Sequence, residues 1–326
     1  MPRYLDEIIK AENAMAVFKA VVDNKCETRA DISGFTGLSV VTVNKAVEVF
    51  LNKGIFVQKD IESNAVGRHA SHVFLDPTKI LALVDISNRD FEFRCYDLGF
   101  NQVYSYRYRY MDDFTYKDNI RTFFYRVKAP MLDTLDSRYL MIGLIVPGTY
   151  DRDNDKMVNV DDYNKENINI CKFIQSTAAI FINVTVSRMG AAVRHCQAIC
   201  GPNENILYIN IDVMCKKIQT RLIIGGKFLK KFGDAYKVLD NSNVETQIVD
   251  IISNACMLSN INCVYLDSDY VIFDKLIHNI KQRLDSGEAT VINNVPEVIR
   301  CKINSFSHSG CLSSLRKIWL DRVVKF

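Results

Sequence analysis

Residues 28–56, Thr28-Arg-Ala-Asp-Ile-Ser-Gly-Phe-Thr36-Gly37-Leu38-Ser39-Val-Val-Thr-Val-Asn44-Lys45-Ala-Val-Glu-Val-Phe50-Leu51-Asn-Lys53-Gly54-Ile-Phe56, carry two short helical patterns split at Thr36-Gly37-Leu38. Thr28 suits the N-cap of the first helix, whose Ala30, Ile32 and Phe35 are expected to face inward. Gly37 supplies the tight turn, because a residue without Cβ takes a positive φ at little steric cost. Ser39 is expected to cap the second helix, with Leu38 and Val43 placed as a hydrophobic staple. Val43, Val47, Phe50 and Leu51 recur at helical spacing and predict one buried face. Val40, Val41, Asn44, Lys45 and Glu48 fall on the opposite face, and Gly54 ends the helix after Lys53. The pattern is that of a helix-turn-helix whose second helix is presented outward.

The following residues extend it. Ile55–Gln58 and His72–Leu75 read as paired strands around a turn at Glu62-Ser63-Asn64, the β-wing of a winged helix. Gly67-Arg68-His69 lies at the base of that wing. A cationic Arg68 there would reach phosphates or the minor groove while Asn44 and Lys45 face base edges. The residues assigned to the DNA face are Arg29, Ser39, Val40, Val41, Thr42, Asn44, Lys45, Arg68 and His69.

Residues 24–55, followed by Val66-Gly67-Arg68-His69-Ala70, resemble the N-terminal domain of ROK-family repressors (repressors, open reading frames and kinases). Thr28-Arg29, Ile32, Thr36-Gly37-Leu38-Ser39, Thr42-Val43, Val47, Phe50, Gly54 and Gly67-Arg68 carry the resemblance. Two positions depart from the family pattern. Val40 stands where Arg is frequent, and His69 where Pro follows the wing Arg. Both departures bear on which operator is read.

Length and composition fit a two-part soluble chain. With 326 residues, 48% apolar and 24% charged, it can bury a full core and lacks a disorder signature. No apolar run approaches the roughly 18 residues that span a bilayer, and no signal peptide pattern opens the sequence. Ten cysteines are scattered without CxxC pairs, as reduced thiols of a cytoplasmic protein would be. The net charge is +3, yet residues 1–76 hold nine Lys plus Arg against ten Asp plus Glu. Any nucleic-acid surface is therefore local, and non-specific affinity modest.

Leu5, Ile8, Ile9, Met15, Val17, Phe18 and Val21-Val22 predict a supporting helix before Asp23-Asn24. Asp76-Pro77 is the expected boundary between residues 1–76, a winged helix-turn-helix, and residues 77–326. Ile80–Ile86, Phe91–Leu98 and Gln102–Tyr110 read as a meander, and Asp112 as the cap of a helix to Lys128. Tyr139–Val146 follows as a buried strand. In Tyr104–Tyr110 strand alternation sets the four tyrosines on one face and Arg107 and Arg109 on the other, an amphipathic strand rather than a stacking platform.

This order resembles the first lobe of an actin-like (RNase H-like) ATPase, the fold of ROK kinases. The expectation is an α/β body of two lobes. Lobe one spans about 77–200 plus the C-terminal helix, and lobe two about 201–310. The resemblance also says what is missing. The kinase hairpin D-x-G-x-T reads Asp85-Ile86-Ser87-Asn88-Arg89, without the Gly that admits a phosphate. Gly143–Gly148 retains the family's strand-closing G-I-G-V-P-G. The E-N-D-A-N-A-A junction, whose Asp is the kinase's general base, aligns with Asn183–Ser187 and places Thr185 at the Asp. That alignment takes Ala178–Ile182 as a strand and Val184–Cys200 as a helix.

In lobe two, Asp212–Lys217 replaces the second glycine-rich loop, and Asp267-Ser268-Asp269 replaces a Gly triplet. Lys237 stands for the zinc-binding His, and the family's cysteine cluster is absent, so no zinc of that type is expected. His195, Cys196 and Cys200 lack a second ligand pair and are expected to pack. A final helix is expected over Leu312–Val324. Only Asp234 keeps the chemistry of a family sugar ligand, leaving Thr185, Asp234 and Lys237 as the candidate ligand pocket.

The function implied is a DNA-binding transcriptional regulator, a repressor acting on a double-stranded operator as a homodimer or higher oligomer. No cofactor, metal, catalytic residue or membrane partner is expected, and any small-molecule effector is unidentified. The alternatives are a protein-binding module and, less well supported, a sugar kinase.

Overall fold

The computed structural model of the protein describes residues 3–60, 71–128, 139–158, 168–212, 217–229, 236–237, 244–268, 274–286, 295–302 and 304–323. The N-terminal part begins with helix α1 (Arg3–Val22), followed by α2 (Arg29–Thr36) and α3 (Val40–Asn52). Strands β1 (Phe56–Asp60) and β2 (Ser71–Leu75) then pair antiparallel, Gln58 opposite Val73. Thr28 bridges to His72, so the segment before α2 adds a third short edge to the hairpin.

The first lobe holds β3 (Ile80–Asp85), β4 (Asp90–Asp97), β5 (Gln102–Arg109), α4 (Tyr116–Val127), β6 (Tyr139–Val146), the hairpin β7 (Thr149–Asp151) and β8 (Lys156–Val158), α5 (Ile170–Ala178), β9 (Val184–Ser187) and α6 (Arg188–Ile199). Its sheet runs β5-β4-β3-β6-β9, antiparallel on the β5 side and parallel from β3 to β9. The second lobe repeats the plan. It consists of β10 (Asn205–Asp212), β11 (Lys217–Ile224), β12 (Lys227–Phe228), β13 (Tyr236–Lys237), α7 (Val244–Leu258), β14 (Cys263–Ser268), α8 (Asp274–Asp285) and β15 (Glu297–Arg300), after which α9 (Ser305–Val323) returns to sheet one, as expected of the C-terminal helix. Its sheet order is β12-β11-β10-β14-β15, with β13 also on β11. Each lobe is thus a three-strand meander continued by two parallel strands. Parallel strands need crossover connections, which α5, α7 and α8 help to provide.

Helices α6 and α9 occupy equivalent places after the last strand of each lobe and pack on one another. Their approach is close. A Cβ built on Gly310 would run into the Ala191 carbonyl oxygen and sit 2.6 Å from its carbon. On its other side α9 meets Gly143 of β6, where a Cβ would lie 2.7 Å from Cys311 Sγ and 2.8 Å from Leu315 Cδ1. The retained Gly143 therefore admits α9 to the face of sheet one.

Several sequence expectations move. Thr115, not Asp112, caps α4, its hydroxyl accepting from the Asp118 N–H. Residues Ala178–Ile182 are not a strand: α5 runs to Ala178, and Ala179 leaves it in the left-handed region at φ 58°. The strand is Val184–Ser187 and the helix starts at Arg188. Helix α9 begins at Ser305, seven residues before Leu312. In β5 the expected alternation holds: Tyr108 is buried, while Arg107 and Arg109 are exposed.

One hydrophobic core crosses Asp76-Pro77. It joins Val17 and Phe18 of α1, Val47 and Phe50 of α3, Phe56 of β1, Leu81 and Leu83 of β3, and Leu315, Trp319 and Leu320 of α9. Phe18 stacks on Phe56 and meets Trp319 edge-on, with centroids 6.2 and 6.3 Å apart. Arg316 stacks over Phe100 at 4.1 Å and reaches Asp23 at 3.4 Å. The connecting Asp76–Lys79 segment is tied down, since Asp76 Oδ1 accepts from the N–H and hydroxyl of Thr78.

Candidate functional site

The surface around α3 follows from its caps. Thr28 and Asp31 form a reciprocal capping box on α2, and Gly37, at φ 69°, donates its N–H to Ser33 O. Ser39 then accepts from the Thr42 N–H to start α3. Between the two helices the chain turns by 118°, within the range of helix-turn-helix pairs. Ile32, Val43, Ala46, Val47 and Phe50 are buried. Ala30 and Phe35 are not: Phe35 is 58% exposed, because an eight-residue helix offers one inward row and Ile32 fills it.

Val40 and Val41, 53% and 63% exposed, and Lys45 face outward. Asn44 is only half-exposed, and its amide oxygen is shielded with no hydrogen-bond partner among the described residues. One end of that amide therefore faces away from any bound partner. Arg29 is not free to reach outward, since Nη2 donates to Glu48 at 3.0 Å and to Gln58 at 2.9 Å. Thr42 shares a 2.9 Å hydrogen bond with Ser39. Arg68 and His69 lie outside the described residues.

In the body, Thr185 is the one residue of the candidate ligand pocket whose side chain is described. That residue is mid-strand in β9, opposite Leu144, and its hydroxyl is 3.0 Å from Cys171 Sγ. Cys171 is in turn 3.5 Å from the Tyr150 hydroxyl, which donates to Asp155 at 2.9 Å. Asp155 also accepts from the N–H groups of Cys171 and Lys172, capping the first turn of α5. Burial pushes the Tyr150 phenol upward, with Cys171 and Asp155 adding to it. The Thr185 hydroxyl is thus met by the Cys171 thiol, which the Tyr150 phenol approaches from its other side. Asp234 lies outside the described residues, and Lys237 sits on β13 opposite Lys217.

The strand-to-helix junction falls at Ser187-Arg188-Met189 instead, two to four residues beyond Thr185. Arg188 is buried there, and its Nη1 donates to Asn88 Oδ1 at 2.6 Å. Asp85 is also buried. Its Oδ1 accepts from the Ser87 N–H and hydroxyl, and its Oδ2 is 2.9 Å from His308 Nε2. Burial pushes this carboxyl up, but the hydrogen bond and charge of His308, with the Ser87 bonds, bring it below the ordinary range. Sequence spacing does not mark Arg188, His308 and Asn304, which lie 100 or more positions from Asn88 and Asp85. The position of the junction was the one available signal for Arg188. Among the described residues no cluster of His, Cys, Asp and Glu could hold a metal, and no single helix is long and apolar enough to cross a membrane.

No protein-family model matches the sequence, and no curated protein matches it significantly. Solved structures do. A ROK-family transcriptional regulator, described as a homologue of the E. coli MLC protein, superposes with a TM-score of 0.66 at 12% identity, covering 98% of this chain and all of that one. A Streptococcus pneumoniae ROK-family protein in complex with sucrose gives 0.51 at 11% identity, over 74% of this chain and 98% of that one. A Listeria monocytogenes protein, provisionally an N-acetylmannosamine kinase, gives 0.53 at 9%, over 74% and 99%. About a quarter of this chain thus lies outside the latter two likenesses, while the regulator spans nearly all of it. The chain has the ROK fold: N-terminal helices followed by a mixed α/β, sugar-kinase-like body.

Proposed function

We propose that this protein is a sequence-specific DNA-binding transcriptional regulator, a cytoplasmic repressor that acts as a homodimer. Residues 1–76 serve as a winged helix-turn-helix, and residues 77–326 as a degenerate ROK body that dimerises. The observation that carries this reading is the outward face of α3, Val40, Val41 and Lys45 beside a paired hairpin, in a chain matching a ROK regulator over nearly its whole length. Two such heads in a symmetric dimer would read a two-fold site, each recognition helix in a major groove. The valines offer apolar contact to thymine methyls and favour A·T-rich half-sites. With its oxygen turned inward, Asn44 is left one outward hydrogen bond instead of a two-point grip on adenine.

Fluorescence anisotropy with labelled duplex from the gene's own upstream region tests this. The parent protein should bind one site specifically. Asn44→Ala should cost about 1 kcal/mol at one base position, the scale of a single hydrogen bond, and Arg68→Ala should weaken all sequences alike and flatten the salt dependence. If both variants bind as the parent does while folded and dimeric, the helix pair is not a DNA reader. A protein-binding head would then replace it, a reading favoured by one feature: Phe35 is exposed, as Val40 and Val41 are, while Glu48 neutralises Arg29.

We further propose that the body performs no phosphotransfer. The strand-to-helix junction offers Ser187, Arg188 and Met189, none of which can act as a carboxylate base, and Asp85 is held by His308 and Ser87. With ATP and glucose, N-acetylglucosamine or xylose, ADP should not form above the protein-free control. Any saturable ADP formation would overturn this.

A further inference from the structure

Half-buried Asn88 and buried Arg188 and Asn304, at the junction of the two lobes, form a chain of polar contacts that neither DNA binding nor the lost kinase motifs explain. Asn88, in the turn between β3 and β4, uses both ends of its amide. Its Oδ1 accepts from Arg188 Nη1 at 2.6 Å, and its Nδ2 donates to Asn304 Oδ1 at 3.1 Å. Arg188 opens α6 and Asn304 immediately precedes α9, so one side chain of lobe one ties down the starts of both connecting helices. Asn304 holds a left-handed backbone at φ 60° and is buried. That conformation is uncommon for a non-glycine residue and tolerated best by Asn. It lets the Asn304 carbonyl accept from the Ser307 hydroxyl and the His308 N–H while its amide turns to Asn88.

On the far side stands lobe two. Tyr208 of β10 donates to Asp267 of β14 at 2.6 Å, and both are buried. The starts of α6 and α9 pack against this strand: Met189, next to Arg188, and Phe306, two residues after Asn304, share one buried cluster with Tyr208, whose ring stacks on Phe306 at 5.8 Å. A buried guanidinium is costly unless its charge and donors are met, and Asn88 Oδ1 meets Nη1. One helical turn further on, the bare backbone contact between Gly310 and Ala191 leaves the helices no room to slide together.

We propose that Asn88, Arg188 and Asn304 form a permanent latch that fixes the two lobes in one relative orientation. The lobe junction is filled by the chain's own guanidinium and amides, and the body does not open and close. This stands apart from whether the head binds DNA.

Amide hydrogen exchange on the full-length protein tests it. Segments 85–89, 187–191 and 304–309 should exchange slowly and as single populations, and Mg-ADP should leave them unchanged. Asn88→Ala removes both bonds and should speed exchange in the latter two segments by about tenfold or more, the scale of a lost hydrogen bond to a charged group. Exchange in α2 and β1 should stay at the parent rate. Asn88→Asp separates the latch from mere packing. It keeps an acceptor for Arg188 but has no donor for Asn304, so 304–309 should loosen while 187–191 does not. Unchanged exchange in both variants, equal loosening of both segments by Asn88→Asp, or two exchanging populations in the parent would overturn the latch. So would a change in the parent on adding Mg-ADP.

Discussion

Gly310→Ala should be among the most damaging single-methyl additions in this protein, lowering stability by about 3 kcal/mol. Overpacking is usually relieved by a side-chain shift, but here the obstacle is the Ala191 backbone carbonyl of a neighbouring helix. Helices α6 and α9 must part, and the strain spreads to Gly143, where α9 already touches sheet one through Cys311 and Leu315. Urea unfolding at neutral pH measures the loss. Gly34→Ala is the control. It lies in α2 with nothing within 4 Å of its added Cβ, and alanine at an exposed helical site should gain roughly 0.5–1 kcal/mol. Equal stability of Gly310→Ala and the parent would mean that the two helices are not in bare backbone contact.

That glycine also shows where the sequence is legible and where it is not. The capped starts of α2 and α3 depend on hydrogen bonds spanning three residues, Thr28 with Asp31 and Ser39 with Thr42, and such local chemistry is written in the order of residues. The strands of the first meander announce themselves by their apolar and alternating patterns, and each lies within a residue of expectation. The start of α9 does not. Ser305–Gly310 contains three serines and a glycine, a composition that reads as a loop, yet the small residues are what permit contact with α6. The junction after β9 was displaced because Ala178–Ile182 is apolar enough to pass for a strand. There the apolar character serves the core: Ala178 and Ile180 are buried against sheet one without joining it. Phe35 misleads in the opposite sense, an aromatic residue at helical spacing that remains in solvent.

The candidate site divides in the same way. Val40, Val41 and Lys45 face outward as helical periodicity requires, whereas the partners of Arg29 and of Thr185 come from distant segments, Glu48 and Gln58 in one case and Cys171 in the other. Periodicity tells which face a residue occupies. It says nothing about which opposite charge or thiol the tertiary fold brings to it.

The second large effect belongs to Asp85 and His308, 1% and 4% exposed, with Nε2 and Oδ2 2.9 Å apart. Asp85→Ala leaves the imidazole and the Ser87 N–H and hydroxyl without their acceptor in a buried site. Removing one partner of such a pair costs about 3–5 kcal/mol, more than the pair itself contributes relative to apolar replacements. The charged groups around it are Glu92, 3.9 Å from His308 Nε2, and the two arginines bound to Glu92, Arg94 and Arg107, each at 2.7 Å. Tyr96 and Cys311 are the other titratable neighbours of Asp85. The sign of the pH dependence follows from the depressed Asp85 carboxyl. Its folded value lies below the ordinary 3.8, so the unfolded chain takes up the proton first as acid is added. The stabilisation is complete above that ordinary value and is lost as pH falls through the lower folded value. Urea unfolding of the parent at pH 7, 5, 4 and 3 should therefore show stability falling steeply only in the last steps. Asp85→Asn, which cannot titrate, should be less stable at pH 7 and lose less between pH 4 and 3. If its acid limb runs parallel to the parent's, another carboxylate carries the acid sensitivity, and the His308–Asp85 contact contributes no charge pairing to the fold.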